Sequence, residues 1–518
     1  MHRGLQIPEV LREVVSHLVP QMEVPFNLNA ACLREWDSLG PLDRDDPQPP
    51  FGAPGRVCYC WRCGQMALAS MARTCKDFYE PATDGLWAVV VGARPLLGCD
   101  HLDTSMLNRY AVPCLSANTV RIKHLVLKEP SLYYDCLAQS HALEALTHNP
   151  SSSASTIFPK LRILEMGATL KRTDPYRLFL GPQLRHLMVR CQSQHRAVSI
   201  ISTAAKRCLQ LQAVDLRLDI SQLALTTAMT THWSNVRSFV CSGASGRVSG
   251  EAITSLARLP ALEELEISPP RTMPSSRGDA DFASLTRLYM SCGPGERVAQ
   301  FLRHIPSHSL QELTVDMFLG HADTNDIFDT ISRFSKLRVL YLDRISKPRV
   351  GMPKLDFQPL LSLGRLQVVD LHWINGCNAF TDDFISTLGQ SWPELVSFSV
   401  RVAPRRALPI PGLTIACLPH FVQKFSNLEY LRIPLDTTNV ATIPMPTANC
   451  DRAMKLDLQD GVIREDIWSL VATYISAVFP NATLVHRQHG LHLDTEWVKW
   501  WRLVADALQG VVSTHFPR

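Results

Sequence analysis

The sequence predicts an α/β solenoid of stacked strand–helix units, preceded by a small all-α domain. Three observations carry that prediction: one apolar spacing recurs through most of the 518 residues, its copies recur at intervals near 26 residues, and two apolar helical stretches precede the first copy. A chain this long exceeds one ordinary globular core, so several domains or one elongated array are expected.

The recurring spacing is apolar at i, i+3 and i+5, as in "LRILEM", "LEELEI" and "LRVLYL". Setting i at Ile122, Leu161, Leu184, Leu211, Val236, Leu262, Leu285, Leu310, Leu337, Leu366, Leu395 and Leu428 gives twelve copies. Apart from Cys241, every i+3 and i+5 residue is Leu, Ile, Val, Met or Phe. Successive anchors lie 39, 23, 27, 25, 26, 23, 25, 27, 29, 29 and 33 residues apart. In a strand, i+3 and i+5 share one face at period two while i+4 points the other way. Helix-like pieces, "GEAITSLARLP", "NDIFDTISRFS" and "TDDFISTLGQSWP", lie between copies. A unit of this size buries its apolar side only against the next unit, so the units stack.

This pattern resembles the leucine-rich repeat in its long form, over residues 118 to about 440. The resemblance implies a horseshoe with strands lining the concave side and helices the convex side. The Asn or Cys that normally follows the last leucine is mostly absent, as in "LEISPP" and "LYLDRI", which implies irregular turns. The competing reading is an ordinary α/β domain with amphipathic strands.

Ahead of the array, "IPEVLREVVSHL" sets Pro8 just inside a helix start, with Val10, Leu11, Val14, Val15 and Leu18 on one face. "LASMARTCKDFYE" gives a second helix, with Leu68, Met71, Ala72, Cys75, Phe78 and Tyr79 at helical spacing. "EPATDG" then reads as a turn leading to the Leu86-Trp87 pair. Between the two helices, the prolines, glycines and acids of residues 39–57 mark a loop, within an insertion of about 20–64.

This order resembles an F-box, the small helical domain that packs against a Skp-type adaptor and is joined through it to a cullin-based ubiquitin ligase. By that resemblance Pro8, Glu9, Leu11, Val14 and Leu18 match the first helix; Leu68, Ala72, Cys75 and Phe78 match the second; Leu86 and Trp87 match the terminal pair, an aromatic anchor at the adaptor interface. The long insertion departs from the family's short first turn, an extension that costs modest loop entropy. Alternatively the helices cap the array, covering its open apolar edge.

Composition narrows the class. With 52 basic and 48 acidic residues the formal charge is +4, which offers no footprint for nucleic acid or a membrane surface. No apolar run approaches the ~18 residues of a membrane span. Fifteen scattered cysteines and an N-terminus without an apolar signal region predict a reducing compartment, cytoplasmic or nuclear. The Asn481 sequon is then accidental. No phosphate-binding loop, H-E-x-x-H, G-x-S-x-G or dinucleotide turn is present, so neither catalysis nor a cofactor is expected. Cys58, Cys60 and Cys63 could supply three ligands of a zinc site, with Cys32 or His17 as the fourth; the plainer reading is a turn of reduced thiols. "HRQHGLHL" at 486–493 reads as a solvated loop.

With i, i+3 and i+5 inward, the i+2, i+4 and i+6 side chains project from the concave face. The i+6 column runs Arg190, Arg217, then Asp316, Asp343, then His372, Arg401. Its neighbours add Asp215, Glu264, Glu266, Glu312 and Asp370, with Tyr289 and Tyr341 among them. An acidic middle with basic flanks and aromatics suits a protein or peptide target rather than nucleic acid, although many solvated sheets look the same. "AMKLDLQ", with Ala453, Leu456 and Leu458, reads as a thirteenth, degenerate copy. Trp497, Trp500, Trp501, Val504 and Leu508 then form one face of a helix that closes the last edge.

The expected organisation is thus an F-box-like domain over 1–95, the solenoid over 96–450 and a closing segment over 451–518. The resemblance implies a substrate-recognition subunit of a cullin-type ligase. The alternative is a repeat scaffold with a helical cap and no ubiquitin role.

Overall fold

The computed structural model describes residues 61–74, 76–91, 116–127, 157–167, 175–191, 193–218, 232–242, 248–270, 282–291, 295–316, 322–343, 356–372, 380–401, 412–458, 461–485 and 496–509, with Glu13, Leu96 and Gly293 besides. The chain forms two compact units, Met1–Leu218 and Asp219–Arg518. Among the described residues no helix is long and apolar enough to cross a membrane.

In the first unit, helices α1 (Trp61–Thr74) and α2 (Lys76–Ala88) lead into strands β1 (Val89–Val91), β2 (His124–Leu127), β3 (Ile163–Met166), β4 (His186–Cys191) and β5 (Ala213–Leu218), with α3 (Gln194–Arg207) between the last two. Each strand pairs in parallel with the next. The second unit continues the pattern. It begins with β6 (Ser238–Ser242), α4 (Gly250–Ala257), β7 (Glu264–Ile267), β8 (Arg287–Met290), α5 (Gly295–Leu302) and β9 (Glu312–Asp316). It continues through α6 (Ala322–Ile331), β10 (Val339–Asp343), β11 (Val368–Leu371), α7 (Asp382–Ser391), β12 (Ser397–Val400), α8 (Leu418–Lys424) and β13 (Tyr430–Arg432). It ends with β14 (Lys455–Asp457), α9 (Trp468–Val478), β15 (Thr483–Leu484) and α10 (Glu496–Leu508). These ten strands are also parallel, each beside its successor.

Every one of the twelve anchors sits two residues ahead of a strand. All the i, i+3 and i+5 side chains are 3% exposed or less. Full burial of one such side chain stabilises by roughly 1.5–3 kcal/mol, which makes these columns the main glue of the stack. The backbone explains the register. The carbonyl of residue i+1 accepts two amides from the next repeat: Gln311 O takes the N–H of Arg338 and Val339, and Arg338 O takes those of Gln367 and Val368. That doubled acceptor recurs down both units and locks each strand to its neighbour.

A fourth buried column stands at i−3, which the sequence reading did not single out. The anchor's N–H closes a tight turn onto the i−3 carbonyl, as in Val236 N to Trp233 O, Leu337 N to Phe334 O and Leu395 N to Trp392 O. Phe158, Trp233, Phe282, Phe334, Trp392 and Phe425 occupy the column and are buried. Their spacing from the anchors was readable, but an aromatic ahead of a leucine motif is ambiguous until the turn is seen. Further aromatics knit neighbouring units: Phe357, Phe380, Phe398 and Phe421 follow one another at centroid distances of 4.7, 6.3 and 6.0 Å.

The expected helical pieces form as α4, α6 and α7, and two carry clear start signals. The Ser249 hydroxyl accepts from Ala252 N and the Thr381 hydroxyl from Phe384 N, satisfying amides that a helix start leaves open. Asp382 and Asp383 place negative charge at the positive end of α7.

The N-terminal region corrects two expectations. The insertion was expected to run as loop to residue 64, yet α1 begins at Trp61. "EPATDG" was expected to be a turn, yet α2 runs straight through Pro81 to Ala88 and holds Leu86 and Trp87 in its last turn. Pro81 forfeits one helical hydrogen bond, a local cost that packing offsets. Ala82, Gly85 and Ala88 recur at every third position and are buried, so α2 presents a narrow face of small residues. With no intervening segment, β1 follows α2 and pairs with β2, so the sheet starts inside the stretch expected to be wholly helical.

At the other end, β14 forms in the register of the degenerate copy, and β15 adds a strand beyond it. On α10, Trp501 and Val504 are buried, and the Trp501 indole N–H donates to Gly461 O at 2.9 Å. Gly461 has to be glycine: a Cβ there would lie 2.7 Å from Leu435 O.

Candidate protein-binding face

The side chains at i+2, i+4 and i+6 occupy the sheet face opposite the apolar columns, and their expected grouping can be tested strand by strand. In the second unit, Asp343, Asp370, His372 and Arg401 come together as one network across β10–β12. His372 Nδ1 lies 3.3 Å from Asp343 Oδ1 and its Nε2 lies 3.2 Å from Asp370 Oδ1. Arg401 approaches the other Asp370 oxygen at 3.3 Å. A carboxylate near each nitrogen favours the doubly protonated imidazole, since a neutral ring would set a lone pair against one carboxylate. Burial pushes His372 toward the neutral form, but the carboxylates of Asp343 and Asp370 outweigh it and its pKa is raised. Burial likewise opposes charge on Asp370, and His372 and Arg401 outweigh it, so this carboxyl is held below its usual range.

The remaining acidic residues spread over β7–β9. Glu264 pairs with Arg287 on the adjacent strand, and its pKa is raised because burial outweighs that partner. Glu312 is exposed one strand further on. Asp316 is buried and stands in register with Asp343. Tyr289 faces Glu266 across β7–β8, and Tyr341 sits between Thr314 and Asp370 in the i+4 row. Burial raises the Tyr341 hydroxyl, helped by Asp370 and Glu312.

In the first unit the face is sparser. Arg190 and Arg217 are register partners, and Asp215, fully buried, meets Arg217 Nε at 3.4 Å. Burial raises the Asp215 pKa despite the arginines beside it. Three pairs escaped the sequence reading although they stand in the same columns: His124 with Glu165 at 3.0 Å, Arg287 with Glu264, and Arg432 with Asp457 at 3.5 Å. Column membership was the available signal; the choice of partner needed the strand order.

Of the expected adaptor-contact residues, Pro8, Glu9, Leu11, Val14, Leu18 and Cys75 lie outside the described residues. Leu68 is buried, while Ala72, Phe78, Leu86 and Trp87 are half-buried. Arg121, just ahead of β2, reaches back to α2, pairing with Glu80 at 2.6 Å and Asp84 at 2.5 Å. Lys123 N donates to Ala88 O. Cys58, Cys60, Cys32 and His17 also lie outside the described residues, and Cys63 falls in α1. Cys191, Cys208, Cys241, Cys417 and Cys450 are buried thiols outside any disulfide; burial pushes Cys208 up to about 12, away from reactivity at neutral pH.

No family model and no curated protein matches the chain. Among solved structures it is similar to the leucine-rich repeat-containing protein LegL7 from Legionella pneumophila, at 14% identity over 53% of this chain and 81% of that one, with a TM-score of 0.28. It is also similar to the plant peptide hormone receptor RGFR1 in complex with RGF2, at 14% identity over 70% of this chain and 48% of that one, with a TM-score of 0.30. Likeness of that degree carries no weight of its own; the repeat architecture stands on the strand order, register and buried columns described above. The fold is a parallel, leucine-rich-repeat type of array.

Proposed function

We propose that this chain is a substrate-recognition subunit of a cullin-type ubiquitin ligase, with α1, α2 and the segment expected from the sequence to form a first helix, around Pro8 to Leu18, docking a Skp-type adaptor and the outward sheet face holding a protein target. The observation that carries the binding role is the face itself: successive parallel strands align charged and aromatic side chains in continuous rows, the layout of a surface that reads a partner. For the adaptor role the support is narrower. Trp87 and Leu86 sit half-buried in the last turn of α2, where an aromatic anchor can still be covered by a partner. The activity would then be proximity alone, raising the effective concentration of target lysines near the charged conjugating enzyme, with no catalytic residue in this chain. A cytoplasmic or nuclear site of action fits the buried thiols outside any disulfide.

One observation favours a second reading. Arg121 and Lys123 tie α2 to the start of β2, as they would in a helical cap belonging to a scaffold with no ubiquitin role. Co-purification of the full chain with a Skp-type adaptor, beside a Leu86→Ala, Trp87→Ala double variant, separates the two. Capture by the parent and loss in a variant that keeps its circular dichroism spectrum support the receptor; a folded parent that captures nothing leaves the scaffold.

A further inference from the structure

Arg190 and Arg217 face one another on β4 and β5 as direct register partners at i+6. Like charges directly opposite on neighbouring strands repel, so such a pair persists where something offsets it. Within the protein the offset is thin. Asp215 meets Arg217 through Nε alone, while Arg190 is exposed and makes no hydrogen bond or ion pair among the described residues. Arg217 itself is only 18% exposed, so its guanidinium is partly stripped of water. In the adjoining row Met188 stands between Glu165 and Asp215, and burial, together with Arg185 and His124, keeps His186 toward its neutral form. Two planar cations with one buried counter-charge form a fork for oxyanions, because each guanidinium can grip a carboxylate through paired N–H groups.

We infer that the β4–β5 part of this face is an anion subsite that takes an Asp- or Glu-rich segment of a captured protein. The two guanidiniums are not extended by further cations in the adjoining row, which carries Glu165, Met188 and Asp215, so the subsite suits one or two carboxylates of a peptide and not the continuous polyanion of a nucleic-acid backbone. This subsite rests on the reading of the outward face as target-binding, and supplies the chemistry that reading lacks.

The test is fluorescence anisotropy on the full chain with three short labelled peptides that alternate glycine with glutamate, glutamine or lysine. The glutamate peptide is expected to bind, and the other two are not. Arg190→Gln and Arg217→Gln should each weaken it by about tenfold. Arg185→Gln, which removes an exposed charge just ahead of β4, should leave it unchanged. The thermal midpoint of Arg190→Gln should match the parent's, because the repulsion from Arg217 that is relieved offsets the through-space attraction to Asp215 that is lost. No preference for glutamate, equal weakening by Arg185→Gln, or a fall in the Arg190→Gln midpoint would each overturn the subsite. Adaptor capture, read separately on the same variants, reports on the ligase reading: its failure with glutamate binding intact sinks the ligase and leaves the subsite.

Discussion

Along β7–β13 the inward side of the sheet repeats itself, whereas the outward side changes from strand to strand. Inward, Leu265, Leu288, Leu313, Leu340, Val369, Phe398 and Leu431 fill equivalent places and are all buried. Outward, the same strands present Glu266, Tyr289, Thr314, Tyr341, Asp370, Ser399 and Arg432 in the equivalent row. Stacking imposes one steric demand on every inward position, but nothing in the fold dictates an outward charge beyond avoiding unpaired burial. The inward side therefore carries stability, and the outward side is where specificity can vary.

The sharpest way to break that contrast is to remove inward aromatics. Trp392→Ala, which also deprives Leu360 O of its 3.1 Å indole donor, and Trp501→Ala should each cost about 3–5 kcal/mol in denaturant unfolding. A loss under about 1 kcal/mol would show that these columns are not what holds the stack. Next in size is Gly461→Ala, whose Cβ meets the Leu435 backbone; about 1–3 kcal/mol of overpacking is expected from the same measurement.

Outward changes should cost less and should depend on pH. The raised His372 pKa means its contribution is complete below about pH 6.5 and is lost as pH rises through the folded value. The lowered Asp370 pKa means its contribution is present above about pH 4 and is lost as pH falls through the folded value. The network is therefore strongest between those limits. Asp370→Asn should lower stability there by about 1 kcal/mol, and the gap from the parent should narrow toward pH 8.5 in a series of thermal melts. A gap that does not change with pH would mean that His372 is not held as the cation. Smallest of all, Arg121→Ala should change stability by less than about 1 kcal/mol, because Glu80 and Asp84 are 65% and 59% exposed. A larger loss would mark α2 as a structural cap and weaken the receptor reading.

How far the sequence disclosed this follows from the same contrast. Twelve strands were legible because i, i+3 and i+5 all answer to one requirement, close stacking, which leaves a chemical trace in every repeat. β1 and β15 were not, since "VVV" and "TL" are too short to hold the spacing. The course of α2 was misread because Pro81 and Gly85 signal a break locally, while the packing of Ala82, Gly85 and Ala88 outweighs them. On the outward side the columns were legible but the pairings were not. That His372 serves Asp343 as well as its own strand neighbour Asp370 depends on which strands lie side by side, a relation between residues about 30 apart that no local pattern encodes.

The junction of α2 with β1 has one more consequence. Ala88 and Val89 are consecutive, and the Ala88 carbonyl is already engaged by Lys123, so the helix enters the sheet without a swivel. Whatever grips α2 thereby sets the bearing of β1 and of the strands paired to it. The join acts as a fixed mount: under the proposed receptor role, a partner held on α2 and a cargo held on the strands of the first unit would be spaced by repeat number, as on a ruler, more than by the slack of a tether.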